Sequence, residues 1–387
     1  MSAVAKTIAP LHRVGSPSCA WVEVDGRHLL SFGGSGYLGL GDQPDLIEAG
    51  VAALRRFGVH SQLGRHYGYA LGANLEAEQA ARAFFDVDGA MYFGSGYLFG
   101  LIAMPALADF CDAIFIDEAA HYSLRDGARA SGRPVHTFLH CDPADLGRQL
   151  ARKLPQGGRP MVATDGMFAT RGTIAPLDAY AALLKRHAGW LVVDESHAFG
   201  VLGAQGRGAV EACGIARDRV VAGGSMAKAF GAHGGIALGA AAVIERLWRT
   251  PAARGAALGC SAGAAMTARS LQLVRLRPEL RARLHTNAQL LKRSLRHLGL
   301  AIDDNGSPIA AFIVDDAQRM RNIQEALMKE DIFITYSNYV GAGPEGILRV
   351  AAFADHLESD INRLQMALGR ILLGAPARMG LQTGGRS

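Results

Sequence analysis

The run Leu191-Val192-Val193-Asp194-Glu195-Ser196-His197 ends an apolar stretch in a carboxylate and places an imidazole three residues later. A carboxylate at the end of a buried strand is costly unless it meets a cation or hydrogen-bond donors. The protonated nitrogen of a pyridine ring is one such cation, and His197 is spaced to donate to a phenolic oxygen on the same ring. Taken alone, the segment serves equally well as an aspartate helix cap beside a surface histidine. Lys228 follows in Val220-Val221-Ala222-Gly223-Gly224-Ser225-Met226-Ala227-Lys228-Ala229-Phe230-Gly231, an apolar run leading into a loop of small residues. An amine forms a Schiff base only when unprotonated, and a confined site lowers its pKa enough for that. Ser225 is spaced to bond a phosphate while Lys228 holds an aldehyde. By itself Lys228 reads as a surface lysine after a glycine turn. With Asp194 one strand away, it reads as the attachment point of pyridoxal 5'-phosphate (PLP), whose protonated ring is an electron sink.

Two further stretches fit the same cofactor. Tyr92-Phe93-Gly94-Ser95-Gly96-Tyr97 runs from a strand through a glycine loop towards a helix, and backbone N–H groups at such a helix start suit a phosphate. Gly94, Gly96 and Gly100 make only a weak match to a dinucleotide fingerprint. His121 opens the segment His121-Tyr122-Ser123-Leu124-Arg125-Asp126 after the strand that ends in Asp117. Its flat ring could stack on a flat cofactor, although a solvated histidine at a helix start is the plainer alternative.

These residues need a scaffold that brings strand ends together. From residue 90 onward, short apolar runs alternate with helical patterns, the mark of a mainly parallel sheet covered by helices. Strands are expected at 90–93, 113–117, 134–139, 160–165, 190–194, 219–223 and 235–239, with a helix at 178–187 among those between them. In such doubly wound α/β sheets the ligand lies beyond the carboxyl ends of the strands, which is where several of the informative residues fall. An almost glycine-free stretch, 264–298, reads as one linking helix. Strands at 309–314, 332–336 and 347–353 and helices at 318–329 and 357–373 then suggest a small α+β domain. The expected divisions are an amino-terminal arm (1–44), a large α/β domain (45–263), the linking helix (264–298), the small carboxyl-terminal domain (299–373) and a frayed tail (374–387).

At 387 residues the chain exceeds the ~250 to 300 residues at which single cores stop growing. The net charge of +5 comes from basic residues scattered through helical segments rather than gathered into a stripe, which argues against nucleic acid as the partner. It remains compatible with anionic substrates such as coenzyme A or an acidic carrier protein. Cys19, Cys111, Cys141, Cys213 and Cys260 are widely spaced, without a CxxC pair or a histidine at metal spacing. Neither a disulfide framework nor a metal site is expected, and a reducing compartment fits. No apolar run reaches the ~20 residues of a membrane span, and the start of the chain lacks a signal-peptide core, so a cytoplasmic protein is expected.

Taken together, the motifs resemble the α-oxoamine synthase family, PLP enzymes that join an amino acid to an acyl thioester with loss of carbon dioxide. It includes 8-amino-7-oxononanoate synthase, 2-amino-3-ketobutyrate ligase, serine palmitoyltransferase, 5-aminolevulinate synthase and acyl-amino-ketone autoinducer synthases. The likeness spans about 37–373. It rests on YLGL at 37–40, SGY at 95–97, His121, TDGMF at 164–168, IAPL at 174–177, DESH at 194–197, SMAKAFG at 225–231, and LRV with a later histidine at 348–356. The resemblance implies a fold-type-I PLP transferase in which Lys228, His121, Asp194 and His197 do the chemistry. It also implies that Ser225 and the Ser95-Gly96-Tyr97 loop take the phosphate. Ser261 would reach the phosphate of a partner subunit, implying a homodimer with shared sites, and Arg349 would grip the amino acid's carboxylate with its planar fork.

The departures concern substrate. Ser35 stands where the family commonly has an asparagine, the family's SMDGD reads Ala169-Thr170-Arg171-Gly172-Thr173, and its proline-containing loop reads Ala262-Gly263-Ala264-Ala265. The DESH form with TxGxIAPL is closer to the autoinducer synthases than to the biotin or haem enzymes. The expected reaction is a decarboxylative Claisen-type condensation of a small L-amino acid with an acyl thioester, on coenzyme A or acyl carrier protein, giving an α-amino ketone. An aminotransferase of the same fold type, or a catalytically idle partner subunit, are the alternatives. Against the second stands the presence of Lys228, His121 and Asp194 together.

Overall fold

A computed structural model describes residues 11–60, 63–256 and 259–374. The chain begins with a hairpin, β1 (Trp21–Val24) and β2 (Arg27–Ser31), followed by α1 (Pro44–Phe57) and α2 (Gly72–Phe85). Strands and helices then alternate: β3 (Gly89–Phe93), α3 (Leu98–Leu107), β4 (Ala113–Asp117), α4 (Tyr122–Ala130), β5 (Val135–Phe138), α5 (Pro143–Lys153), β6 (Pro160–Asp165), α6 (Leu177–Lys185), β7 (Trp190–Asp194), α7 (Ala209–Ala212) and β8 (Val220–Ser225). After β9 (Gly235–Gly239) come α8 (Ala241–Leu247), α9 (Pro251–Ala256), α10 (Ser261–Leu276) and α11 (Glu279–His297). The last part holds β10 (Ile309–Phe312), α12 (Ala317–Lys329), β11 (Ile332–Phe333), β12 (Thr335–Ser337), β13 (Ile347–Ala351) and α13 (Glu358–Leu372).

Strands β3 to β9 form one seven-stranded sheet in the order β3-β9-β8-β7-β6-β4-β5. Only β9 runs antiparallel to its neighbours, so the sheet is mainly parallel and the fold is α/β. Its central strands are buried along their whole length, because helices cover both faces and each residue of a period-2 strand meets a core. Leu191 and Val193 of β7 join one apolar cluster, while Trp190 and Val192 join the other.

Three expectations need correction, one being the strand expected at 332–336, which is two, β11 beside β2 and β12 beside β13, in different sheets. The stretch expected to be one helix over 264–298 is two, α10 and α11, separated at Arg277-Pro278. Proline has no N–H to give and its ring clashes with the preceding turn, so α11 restarts at Glu279. The amino-terminal region is not a separate arm either. Its β2 pairs in parallel with β11, Leu30 opposite Ile332 and Ser31 opposite Phe333, so the hairpin belongs to the carboxyl-terminal layer. The expected tail falls almost wholly outside the described residues.

Helices α3 and α4 cross at two glycines. A Cβ on Gly127 would overlap the carbonyl of Gly100, and one on Gly100 would overlap the carbonyl of Ser123. Backbone cannot yield as a side-chain tip can, and overpacking of this kind typically costs about 1–3 kcal/mol. Urea unfolding of Gly127→Ala is expected to show a loss in that range. Because His121 caps α4 and Ser123 lies in its first turn, cofactor affinity should fall with it; a variant as stable as the parent would refute the crossing as a tight contact.

Candidate active site

Strands β4, β6, β7 and β8 point their carboxyl ends at one cleft of about 190 Å³. Its lining includes Ser95, Gly96, Tyr97, His121, Asp165, Asp194, His197, Ser225 and Lys228, so nine side chains or backbone segments from distant stretches meet there. Asp194 is 5% exposed. Its Oδ1 accepts from the Ser196 N–H (2.9 Å) and its Oδ2 from the Ser123 hydroxyl (3.3 Å), and among the described residues no cation pairs with it. Asp165 lies beside it in register and accepts from the His121 N–H (3.1 Å). Burial, and then the neighbouring charge of Asp194, push the Asp165 carboxyl well above its ordinary value, so the protonated form of this acid is favoured relative to a solvated aspartate.

Lys228 keeps some exposed surface, yet it lines a concave cleft that takes its amine largely out of water. This enclosure lowers its ammonium from 10.5 to about 8, against the upward pull of Asp194 and Asp165 and with a smaller push from Arg349. Only the free amine attacks an aldehyde. Uptake of PLP by the apo protein should therefore quicken as pH rises through about 8 and level off above it. An unshifted lysine would keep gaining towards pH ~10.4. Stopped-flow absorbance on apo protein measures this, and a rate still climbing steeply at pH 10 would contradict the lowered pKa.

His121 caps α4 through its ring, Nδ1 accepting from the Ser123 N–H (3.2 Å) and lying 2.8 Å from the Ser123 hydroxyl. Its Nε2 lies 2.8 Å from the hydroxyl of Tyr339, and burial lowers its pKa, so the ring is neutral near pH 7. His197 is buried, with Nδ1 2.7 Å from the Tyr37 hydroxyl. Desolvation, then the charges of Lys228 and Arg349, hold its pKa well below the usual imidazole value. On the opposite wall the glycine loop presses against β8: a Cβ on Gly96 would lie 2.5 Å from Ser225 Cα, and one on Gly224 2.9 Å from Asp194 Oδ1. The Ser225 N–H donates to Ser196 Oγ (2.8 Å) and its own Oγ accepts from the Ala227 N–H (3.1 Å).

Arg349 sits on β13, buried, and spends Nε on the Ala169 carbonyl (2.8 Å), Nη1 on the Gly34 carbonyl (2.8 Å) and Nη2 on the Tyr37 hydroxyl (3.1 Å). Ser35 is the next residue after Gly34, partly exposed, and does not line the cleft. Ser261 is also absent from the lining; it is fully buried at the start of α10, where its hydroxyl donates to the Gly58 carbonyl. The motif reading passed over Tyr37 as a partner of His197, Ser123 as a partner of Asp194, and Tyr339. Asp165 was visible as a second acid at a strand end within TDGMF. Tyr339 had no local signal at all.

The residues suit PLP on their own evidence. A buried carboxylate without a cation, a lysine with a lowered pKa, neutral imidazoles and a glycine cradle at a helix start supply a counterion, an amine, a stacking face and phosphate donors. All five cysteines are free thiols.

Comparison with known proteins agrees. The model of the aminotransferase class I and II family matches residues 27–368. The 8-amino-7-oxononanoate synthase of Aromatoleum aromaticum is 34% identical over 368 residues, 92% of this chain and 93% of that protein. That of Maricaulis maris is 36% identical over 370 residues, 92% of this chain and 90% of that protein. Among solved structures, serine palmitoyltransferase of S. paucimobilis with a bound PLP–myriocin aldimine superposes with a TM-score of 0.86 at 26% identity, covering 92% of this chain and 90% of that one.

Proposed function

This chain belongs to the aminotransferase class I and II family and, within it, to the α-oxoamine synthases, and from that premise we propose which residues hold its cofactor and substrates. It is a PLP-dependent acyltransferase that condenses an amino acid with an acyl thioester with loss of carbon dioxide. When bound, PLP supplies a protonated aromatic ring into which the electrons of a breaking Cα bond can spread.

Lys228 would hold the aldehyde end through its free amine, and the same Nζ is the base that would take the amino acid's Cα proton. Asp194 supplies the carboxylate that keeps the ring nitrogen protonated, its other contacts being only neutral donors. His197 would donate to the phenolic oxygen, and His121 would cover one face of the ring. The Ser95-Gly96-Tyr97 turn at the start of α3 and Ser225 bind the phosphate, where helical N–H groups favour an anion. Arg349 grips the amino acid's carboxylate with the N–H groups left free by Ala169, Gly34 and Tyr37. Ser35 borders that grip through its neighbour Gly34.

A homodimer with shared sites is part of the proposal. Ile47, Leu54, Val59, Tyr67, Tyr69 and Leu75 are exposed along α1, the following loop and α2, an apolar face that a second copy would cover. Ser261 is tied to this region by its bond to the Gly58 carbonyl, and a role at the partner's phosphate requires its hydroxyl to leave that carbonyl. Among the described residues no helix is long and apolar enough to cross a membrane, which is in keeping with a cytoplasmic setting.

The observation that carries this reading is the meeting of Lys228 and the unpaired carboxylate of Asp194 in one cleft. Its test is to supply PLP-loaded protein with a panel of small L-amino acids, then acyl-coenzyme A or acyl carrier protein, following free thiol and carbon dioxide. Release of both with one amino acid supports the assignment and identifies the substrate. Conversion of the cofactor to its pyridoxamine form without a thioester would instead make the protein an aminotransferase.

A further inference from the structure

Three buried polar groups form a line from the substrate arginine to the cofactor histidine. Arg349 Nη2 donates to the Tyr37 hydroxyl oxygen over 3.1 Å, and that hydroxyl lies 2.7 Å from His197 Nδ1. A guanidinium only donates, so the Tyr37 oxygen accepts from Arg349 and its single proton is left for the imidazole. The reverse arrangement, with the proton on Nδ1, would leave the Tyr37 proton without an acceptor among the described residues. Tyr37 is fully buried, and an unsatisfied donor there is strongly disfavoured. Burial also raises the Tyr37 pKa, so the hydroxyl keeps that proton. His197 is neutral because desolvation and the charges of Lys228 and Arg349 oppose its protonation. A neutral ring whose Nδ1 is an acceptor carries its one proton on Nε2.

We infer that Tyr37 is a positioning residue that locks His197 as the Nε2–H tautomer and ties its ring to Arg349 through one shared hydroxyl. This rests on His197 facing the cofactor and Arg349 the amino acid. Given those roles, the lock ensures that His197 meets the cofactor's phenolic oxygen as a donor in every molecule. It also joins the two halves of the site mechanically. Arg349 comes from the carboxyl-terminal layer on β13, Tyr37 from the segment before α1, and His197 from the turn after β7. Docking of a carboxylate on the guanidinium is thereby felt at the histidine that faces the ring.

The test is the imidazole ¹⁵N spectrum of the apo protein and the holoenzyme, with the His197 signals identified by subtracting His197→Asn. The expected pattern is a protonated Nε2 and a bare, hydrogen-bonded Nδ1 in both forms. Tyr37→Phe should then give mixed tautomers, shift the cofactor's absorbance, and raise the amino-acid KM by about tenfold, the scale of one lost hydrogen bond to a charged group, with kcat changed less. A proton on Nδ1 of the parent protein overturns the inference whether or not Tyr37→Phe folds. So does a Tyr37→Phe protein with the parent's His197 pattern and KM. Failure of the underlying reading looks different: PLP would then leave the His197 Nε2 signal and the absorbance of the parent protein unchanged.

Discussion

Lys228→Ala is expected to lower turnover by roughly 10³-fold or more, in the upper part of the ~10² to 10⁴ contributed by a positioned general base. Two proposed functions would disappear at once, because on this reading the same nitrogen holds the cofactor and moves the Cα proton. The variant should still bind PLP through Asp194, His197 and the phosphate loop, but without the absorbance of a lysine-linked cofactor. Folding should not suffer. Among the described residues no hydrogen bond holds Nζ, and the ammonium is disfavoured where it stands, as its pKa of about 8 records. Below that pH the folded apo protein keeps a proton at the expense of stability, so removing the amine should leave the apo melting temperature at pH 7 equal or higher. Added small amines should restore part of the proton transfer. A variant that retains a tenth of the parent's turnover would remove Lys228 from the mechanism, and with it the assignment of the site.

Asp194→Asn should cost roughly 10² to several 10³-fold in kcat, with the overall architecture intact. The amide has the carboxylate's shape and can still accept from the Ser196 N–H. It cannot offer a negative charge to a protonated ring nitrogen. Breaking a buried ion pair by neutralising one member is worth about 3–5 kcal/mol, and each 1.4 kcal/mol is a factor of ten, so the loss falls on the step that needs the ring protonated. Asp165 is a poor substitute as it stands: burial and Asp194 itself push its carboxyl towards the protonated form. With Asp194 neutralised, that opposition weakens and Asp165 should ionise more readily. The double variant Asp165→Asn, Asp194→Asn is therefore expected to be slower than Asp194→Asn alone. Steady-state kinetics together with PLP affinity separate loss of binding from loss of catalysis. Near-parent kcat in Asp194→Asn would show that the ring needs no counterion here.

The crossing of α3 and α4 bears on both results. His121 and Ser123 lie at the start of α4, and Ser123 is one of the two donors to Asp194. The glycines that let α3 and α4 approach therefore help set the distance between His121 and Asp194. A stability variant at Gly127 and a charge variant at Asp194 should thus share one effect, weaker PLP binding, through different physical routes. Their combination should be less than additive, because they act on one contact network.

Much of this protein was legible from its residues alone, and the reason is that the signals are local. An apolar run of five residues ending in a carboxylate reads as a buried strand whose last side chain faces the ligand edge of an α/β sheet. Hence the cofactor was legible before any fold was known, and Asp194, Lys228, His121 and the Ser95-Gly96-Tyr97 turn were candidates that the fold brings to one cleft. The misjudged linking helix was local too: Pro278 marked the break between α10 and α11, and the absence of glycine nearby masked it.

What the tertiary structure alone decided was how distant groups satisfy one another. The hairpin at Trp21–Ser31 joins β11 some 300 residues later, and Arg349 spends its guanidinium on Gly34, Tyr37 and Ala169. Tyr37 reaches His197, Tyr339 reaches His121, and Ser261 turns to the Gly58 carbonyl. Each partner is chosen because burial leaves a donor or acceptor that must be matched, and which group matches it depends on the packing of elements far apart in the chain. Strand and loop chemistry follows from neighbours in sequence; tautomers, pKa values and the orientation of an arginine follow from neighbours in space.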